Sequence, residues 1–170
     1  MKKVFKLVAV AALVSLTVFN WSCKKDEEVE VNKAITLSNG ELTVRLRGNL
    51  NLTDDTNKFG AFETTYNGIA GVSVVATAYM RDFYANPSNS YNFKDTTIAG
   101  VTGSDGKVTL KLPVGENEDV RYDISFSQVF VNQIQISDTL PDEKVASTGN
   151  ATIYINKDEF EVIDRIVTIN

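Results

Sequence analysis

Few residues in this 170-residue chain could do chemistry. It contains no histidine and a single cysteine, Cys23. That removes Ser-His-Asp and Cys-His catalysis and most zinc sites, which need imidazole or several thiolates. Ser104 and Lys107 match a Ser-x-x-Lys acylase spacing. That chemistry sets the two side chains one helical turn apart, whereas Asp105-Gly106 between them is a tight-turn signal. The carboxylate pairs Asp54-Asp55 and Glu118-Asp119 have the groups for acid–base work, but they lie in polar turns, where solvation leaves a carboxylate ordinary. Asp54-Asp55-Thr56-Asn57 and Glu116-Asn117-Glu118-Asp119 offer hard oxygens to calcium without the spacing of a calcium loop. Solvated acidic turns fit them as well. The expectation is a non-enzyme with no cofactor and no assigned metal site.

The position of Cys23 is more telling. Lys2, Lys3 and Lys6 give a basic start, and Leu7 to Phe19 is apolar apart from Ser15 and Thr17. A membrane-spanning helix needs about 20 apolar residues, so this run is short; its layout is that of an export signal. Ser22-Cys23 then resembles a bacterial lipobox, whose strict requirement is cysteine directly after the cut. Asn20 and Trp21 depart from the usual pattern. Lys24-Lys25-Asp26-Glu27-Glu28 is similar to the tether of Bacteroidota-type surface lipoproteins. The resemblance implies acyl (palmitate-type) chains on Cys23, an outer-membrane anchor and display on the cell exterior. One acyl chain gives only reversible membrane binding; the two or three that such lipoproteins carry make it effectively permanent. The expected organisation is a signal peptide at residues 1–22, a lipidated cysteine with a flexible acidic tether at 23–40, and a folded domain at 41–170. Loss of residues 1–22 removes three lysines and no acids, leaving 14 basic and 22 acidic side chains and a balance of −8. That disfavours nucleic acid as a partner.

Past the tether the dominant period is two. Leu42, Val44 and Leu46 alternate with Thr43, Arg45 and Arg47, as in a half-buried strand. Val72 to Met80 is β-branched and apolar on both faces, as in a central strand. Ile98–Thr102 and Lys107–Val114 flank Asp105-Gly106 and read as a two-residue hairpin. Further strands are expected near Tyr122–Phe126, Phe130–Ile136, Ala151–Ile155 and Glu161–Ile169, with no amphipathic helix after Cys23. Seven or eight strands with turn signals between them point to an all-β, two-sheet antiparallel sandwich. Gly68-Ile69-Ala70-Gly71-Val72-Ser73-Val74-Val75-Ala76 and Val101-Thr102-Gly103-Ser104-Asp105-Gly106-Lys107-Val108 resemble the carboxypeptidase regulatory-like, transthyretin-like family over roughly residues 42–130. The resemblance implies a non-catalytic spacer, adhesive or accessory module. It implies no particular ligand, so function rests on a site.

The most suggestive candidate site is YMRDFYANPSNSYNF, residues 79–93, which holds five of the sixteen aromatics. Rigid rings among short amide side chains make adaptable binding surfaces. Tyr84, Tyr91, Asn89 and Arg81 are the candidate ligand-binding residues, with Tyr84 and Tyr91 expected to be exposed. The competing reading makes Tyr79, Phe83 and Phe93 strand-end core and Asn86–Asn89 a turn. Asp95-Thr96-Thr97 and Asp138-Thr139-Leu140 resemble the O-glycosylation acceptor of exported proteins in that bacterial group, which would place exposed acceptors at Thr96 and Thr139. The expectation is a surface-displayed, lipid-anchored module binding a glycan or an outer-membrane partner protein. The alternative is a pilus-like subunit polymerising by strand addition, in which the strand from Glu161 to Asn170 leaves its own sheet.

Overall fold

The structure, a computed structural model, describes residues 35–58, 61–87, 92–117, 119–136 and 142–170. The compact unit Ala34–Asn170 contains β1 (Ser38–Gly48), β2 (Thr56–Lys58), β3 (Ala61–Glu63), β4 (Asn67–Gly68), β5 (Ser73–Tyr79), β6 (Asp95–Val101), β7 (Lys107–Val114), β8 (Val120–Phe126), β9 (Val129–Asn132), β10 (Glu143–Ser147), β11 (Ala151–Ile155), β12 (Phe160–Ile166) and β13 (Thr168–Ile169). A 3-10 turn at Met80–Phe83 is the one helical piece among the described residues. None of it is long and apolar enough to cross a membrane.

The protein is an all-β sandwich. One sheet has β1 at its centre, with β12 along one side and β7 and the short β4 along the other; the second runs β11-β8-β5-β6. Alternation decides which residues meet between them. Leu42, Val44 and Leu46 of β1, Leu110, Leu112 and Val114 of β7, and Ile163 of β12 point inward from the first sheet. Val74, Ala76, Ala78, Val120, Tyr122, Ile124 and Ile155 meet them from the second. Each fully buried aliphatic side chain contributes about 1.5–3 kcal/mol. Tyr122 also ties the layers together, since its hydroxyl donates to the Pro113 carbonyl at 2.8 Å. A small third sheet, β13-β10-β9, and the pair β2-β3 complete the set.

One connection differs from the expected hairpin. Asp105-Gly106 does form a tight turn, with Gly106 N–H donating to the Gly103 carbonyl at 2.9 Å and Gly106 at φ +74°. Its arms do not pair with each other. β6 pairs with β5 and β7 with β1, so the turn is an arch that carries the chain from one sheet to the other. The cause is packing at the corner. Gly106 lies against Leu46 and Gly68, with no room for a Cβ, and its carbonyl accepts from Leu46 N–H at 2.9 Å. The buried Thr102 hydroxyl donates to the Ile69 carbonyl at 2.7 Å and accepts from Val72 N–H at 3.0 Å. The two stretches that carry the family resemblance therefore meet at this one corner. A second arch, between β11 and β12, turns through Asp158 at φ +60°. Arches thus join the edge strands at both sheet margins, and β1 and β12 run parallel over seven residue pairs. The other pairings between described strands are antiparallel, as expected of the sandwich.

Other boundaries move as well. β1 opens at Ser38, and Gly40 is buried against Ile155; Ile35 packs on the core. The end expected for the tether is thus part of the sandwich. Glu161–Ile169 divides into β12 and β13, which join different sheets. β10 had no clear alternation to announce it.

Candidate functional site

Among the described rings of the aromatic stretch, Phe83, Tyr84 and Phe93 turn inward, while Tyr79 is exposed and stands edge-on to Phe93 with ring centres 6.2 Å apart. Phe83 and Phe93 are buried. Phe83 stands edge-on to Tyr122, with ring centres 6.4 Å apart, and Tyr84 leans on Phe93 at 5.3 Å. Tyr84 is half-buried and packs against the core, contrary to the exposure expected of it. The Asn117 side chain donates to the Asp82 carbonyl at 2.6 Å and Glu116 N–H to the Phe83 carbonyl at 2.7 Å, pinning the turn to the β7–β8 connection. Arg81 is exposed on that turn. Thr96 occupies an inward phase of β6, half-buried beside Met80 and Tyr84 in an apolar hollow of about 260 Å³. Tyr91, Asn89, Thr139 and Cys23 lie outside the described residues. Among the described residues no group of three or more His, Cys, Asp or Glu side chains could hold a metal ion. Asp55 is half-buried and accepts from the Asn49 amide at 2.9 Å.

A different surface gathers polar groups with open rings. On the outer face of the second sheet, Arg121 and Asp123 are two residues apart on β8 and so share a phase. Arg121 Nη2 lies 2.9 Å from Asp123 Oδ1, and its Nε donates to the same oxygen at 3.3 Å. Thr152 Oγ1 donates to that oxygen from β11 at 2.8 Å. The Thr152 hydroxyl, and after it Arg121, holds the Asp123 carboxyl below the usual carboxylate range. The Arg121 guanidinium is held charged chiefly by Asp123. Both charges are exposed, so the pair adds little stability; its effect is to fix the direction of donors and acceptors.

Strand register extends this group into rows. Thr152 is opposite Asp123, Asp123 opposite Thr77, and Thr77 opposite Thr97. One step along, Tyr154 is opposite Arg121 and Tyr79 opposite Asp95. Tyr154 is 58% exposed and Tyr79 42%. A shallow depression of about 500 Å³ is lined by Thr77, Arg121, Asp123, Ser125, Asn150 and Thr152. It contains no activated nucleophile. What it offers is hydroxyls, one balanced ion pair and two flanking rings. Sequence reasoning missed this face because its residues come from four separate strands. The available signal was phase: Arg121, Asp123 and Ser125 alternate with buried Val120, Tyr122 and Ile124.

Comparison with known proteins returns no matching family model, no similar curated protein and no similar solved structure.

Proposed function

We infer that the chain is a lipid-anchored binding module of a bacterial cell surface, held to the outer membrane through Cys23. We further infer that it takes an uncharged glycan on the outer face of the β11-β8-β5-β6 sheet. The observation that carries this reading is the row Tyr154–Arg121, with Tyr79 further along the same face, beside the hydroxyl row Thr152–Asp123–Thr77–Thr97. A sugar presents an apolar C–H face and a rim of hydroxyls. Tyrosine rings cover such a face at low entropic cost. Arg121, Asp123 and Thr152 are already bonded to one another, so less ordering remains to be done on binding. The named ion pair sums to zero charge, which suits a neutral ligand on an otherwise acidic chain. The anchor rests on the basic start, the short apolar run and Ser22-Cys23.

Affinity electrophoresis of residues 23–170 with Cys23→Ser, through gels containing neutral or acidic polysaccharides, tests the ligand. Retardation by a neutral polysaccharide is expected, weakened at least about tenfold by Tyr154→Ala or Arg121→Ala. No retardation, or retardation untouched by either change, contradicts the reading. Mass spectrometry of the native membrane protein tests the anchor separately, with acylated Cys23 expected and a free thiol contrary.

The assembly reading has one observation in its favour: β12 is an edge strand among the described residues. Its release would unpair seven residues and expose Ile163 and Val167, both buried.

A further inference from the structure

We propose that β12 pairs antiparallel, about a twofold axis at Ile163, with β12 of a second copy of this chain. The inference does not rest on the glycan reading. Glu41 N–H donates to the Glu159 carbonyl and Val167 N–H to the Arg47 carbonyl. In a parallel ladder this phase turns the main-chain groups of Glu161, Ile163 and Arg165 toward β1. Those of Phe160, Val162, Asp164 and Ile166 then point away, and no described strand pairs with that edge. The same residues carry the outward side chains: Phe160 is 57%, Val162 52% and Ile166 54% exposed.

The opposite edge of the sheet shows what a protected edge looks like. β7 places Lys107 and Lys111 on its outer face and carries Pro113 as its next-to-last residue, the devices that keep an edge from pairing. β12 has no lysine and no proline. Its single basic residue, Arg165, is occupied within the chain: its guanidinium donates to the Gly149 carbonyl and lies 5.8 Å from the Phe126 ring centre.

The sequence of β12 also complements itself. With Ile163 opposite Ile163, Phe160 meets Ile166 and Glu161 meets Arg165, each twice by symmetry, with Val162 opposite Asp164. All four outward-pointing residues then face outward-pointing residues, so each pair can exchange both N–H···O bonds. Directly opposed apolar pairs, here Phe160 with Ile166, favour a register. Asp164 is paired with Arg47 of its own chain at 3.0 Å, so its charge does not choose the register; centring on Asp164 sets Phe160 against Thr168, and centring on Val162 sets Phe160 against Asp164. A shift of one residue puts side chains on the wrong face. The twofold contact is closed, so it makes a dimer and not a fibre.

Sedimentation equilibrium of residues 23–170 with Cys23→Ser, which retain the whole folded unit, reads the association directly. A dimer is expected. Val162→Pro removes only an outward amide and is expected to weaken the dimer at least about tenfold while leaving the far-UV circular dichroism spectrum unchanged. Phe160→Cys with Ile166→Cys should crosslink to a covalent dimer on mild oxidation, and Phe160→Cys with Asp164→Cys should not. A monomer up to about 1 mM, a dimer indifferent to Val162→Pro, or crosslinking in the shifted pair overturns the proposal. A ladder of higher species also overturns it and favours strand exchange.

Discussion

Two neighbouring regions that meet at Tyr79 use their rings in opposite ways. At the β5–β6 connection aromatic residues are dense, yet Phe83 and Phe93 are buried and Tyr84 leans on Phe93. On the β11-β8-β5-β6 face aromatic residues are sparse, yet Tyr154 and Tyr79 stand open beside an ordered Arg–Asp–Thr group. Local density of rings therefore marks where core is needed at the end of a sandwich. The phase of a ring on a strand decides whether a ligand can reach it.

Substitutions can break this contrast in order of expected cost. Phe83→Ala empties a buried site against Tyr122 and should cost about 3–5 kcal/mol in urea unfolding. Tyr84→Ala, at a half-buried ring, should cost roughly 1–2 kcal/mol with no loss of polysaccharide binding. Tyr122→Phe removes one buried hydrogen bond and should cost about 1 kcal/mol at neutral pH.

The phenol of Tyr122 also sets a pH dependence. Burial raises its pKa above the ordinary value of about 10. Its contribution is therefore present below about pH 10 and is lost as pH rises through the folded value. The alkaline fall in melting temperature should be shallower in Tyr122→Phe than in the parent. Asp123 works with the opposite sign. Its carboxyl is held low, so its contribution is present above the ordinary value of about 3.9 and is lost as pH falls through the folded one. Asp123→Asn should flatten the acid arm of the melting curve slightly, since the group is exposed. Tyr154→Ala should be the mildest for stability, within about 0.5 kcal/mol, and among the most damaging to binding.

Much of the sandwich was legible in sequence because period-two alternation is a direct record of burial. Leu42, Val44 and Leu46, and likewise Leu110 and Leu112, lie on the face their spacing indicated. The partners were not legible. Asp105-Gly106 carries a hairpin signature, but the turn feels only its own four residues, while Gly68 and Leu46, far away in sequence, decide that its arms separate. Glu161–Ile169 looked two-faced for another reason. Burial alternates without a break from Glu161 to Ile169, but Val162 and Ile166 are apolar residues on the exposed phase, so residue type did not follow burial. The polar face was hidden by the same distance: Arg121, Thr152 and Tyr79 belong to strands whose order in the sheet is not written in any one of them.

The most direct test is amide NMR of 15N-labelled residues 23–170 with Cys23→Ser, titrated with oligosaccharides of whichever neutral polysaccharide retards the chain. Saturable shifts are expected to centre on Thr77, Tyr79, Arg121, Asp123, Thr152 and Tyr154. Shifts centred instead on Arg81, Tyr84 and Thr96, or no shifts at saturating sugar, would contradict the sheet face as the binding surface.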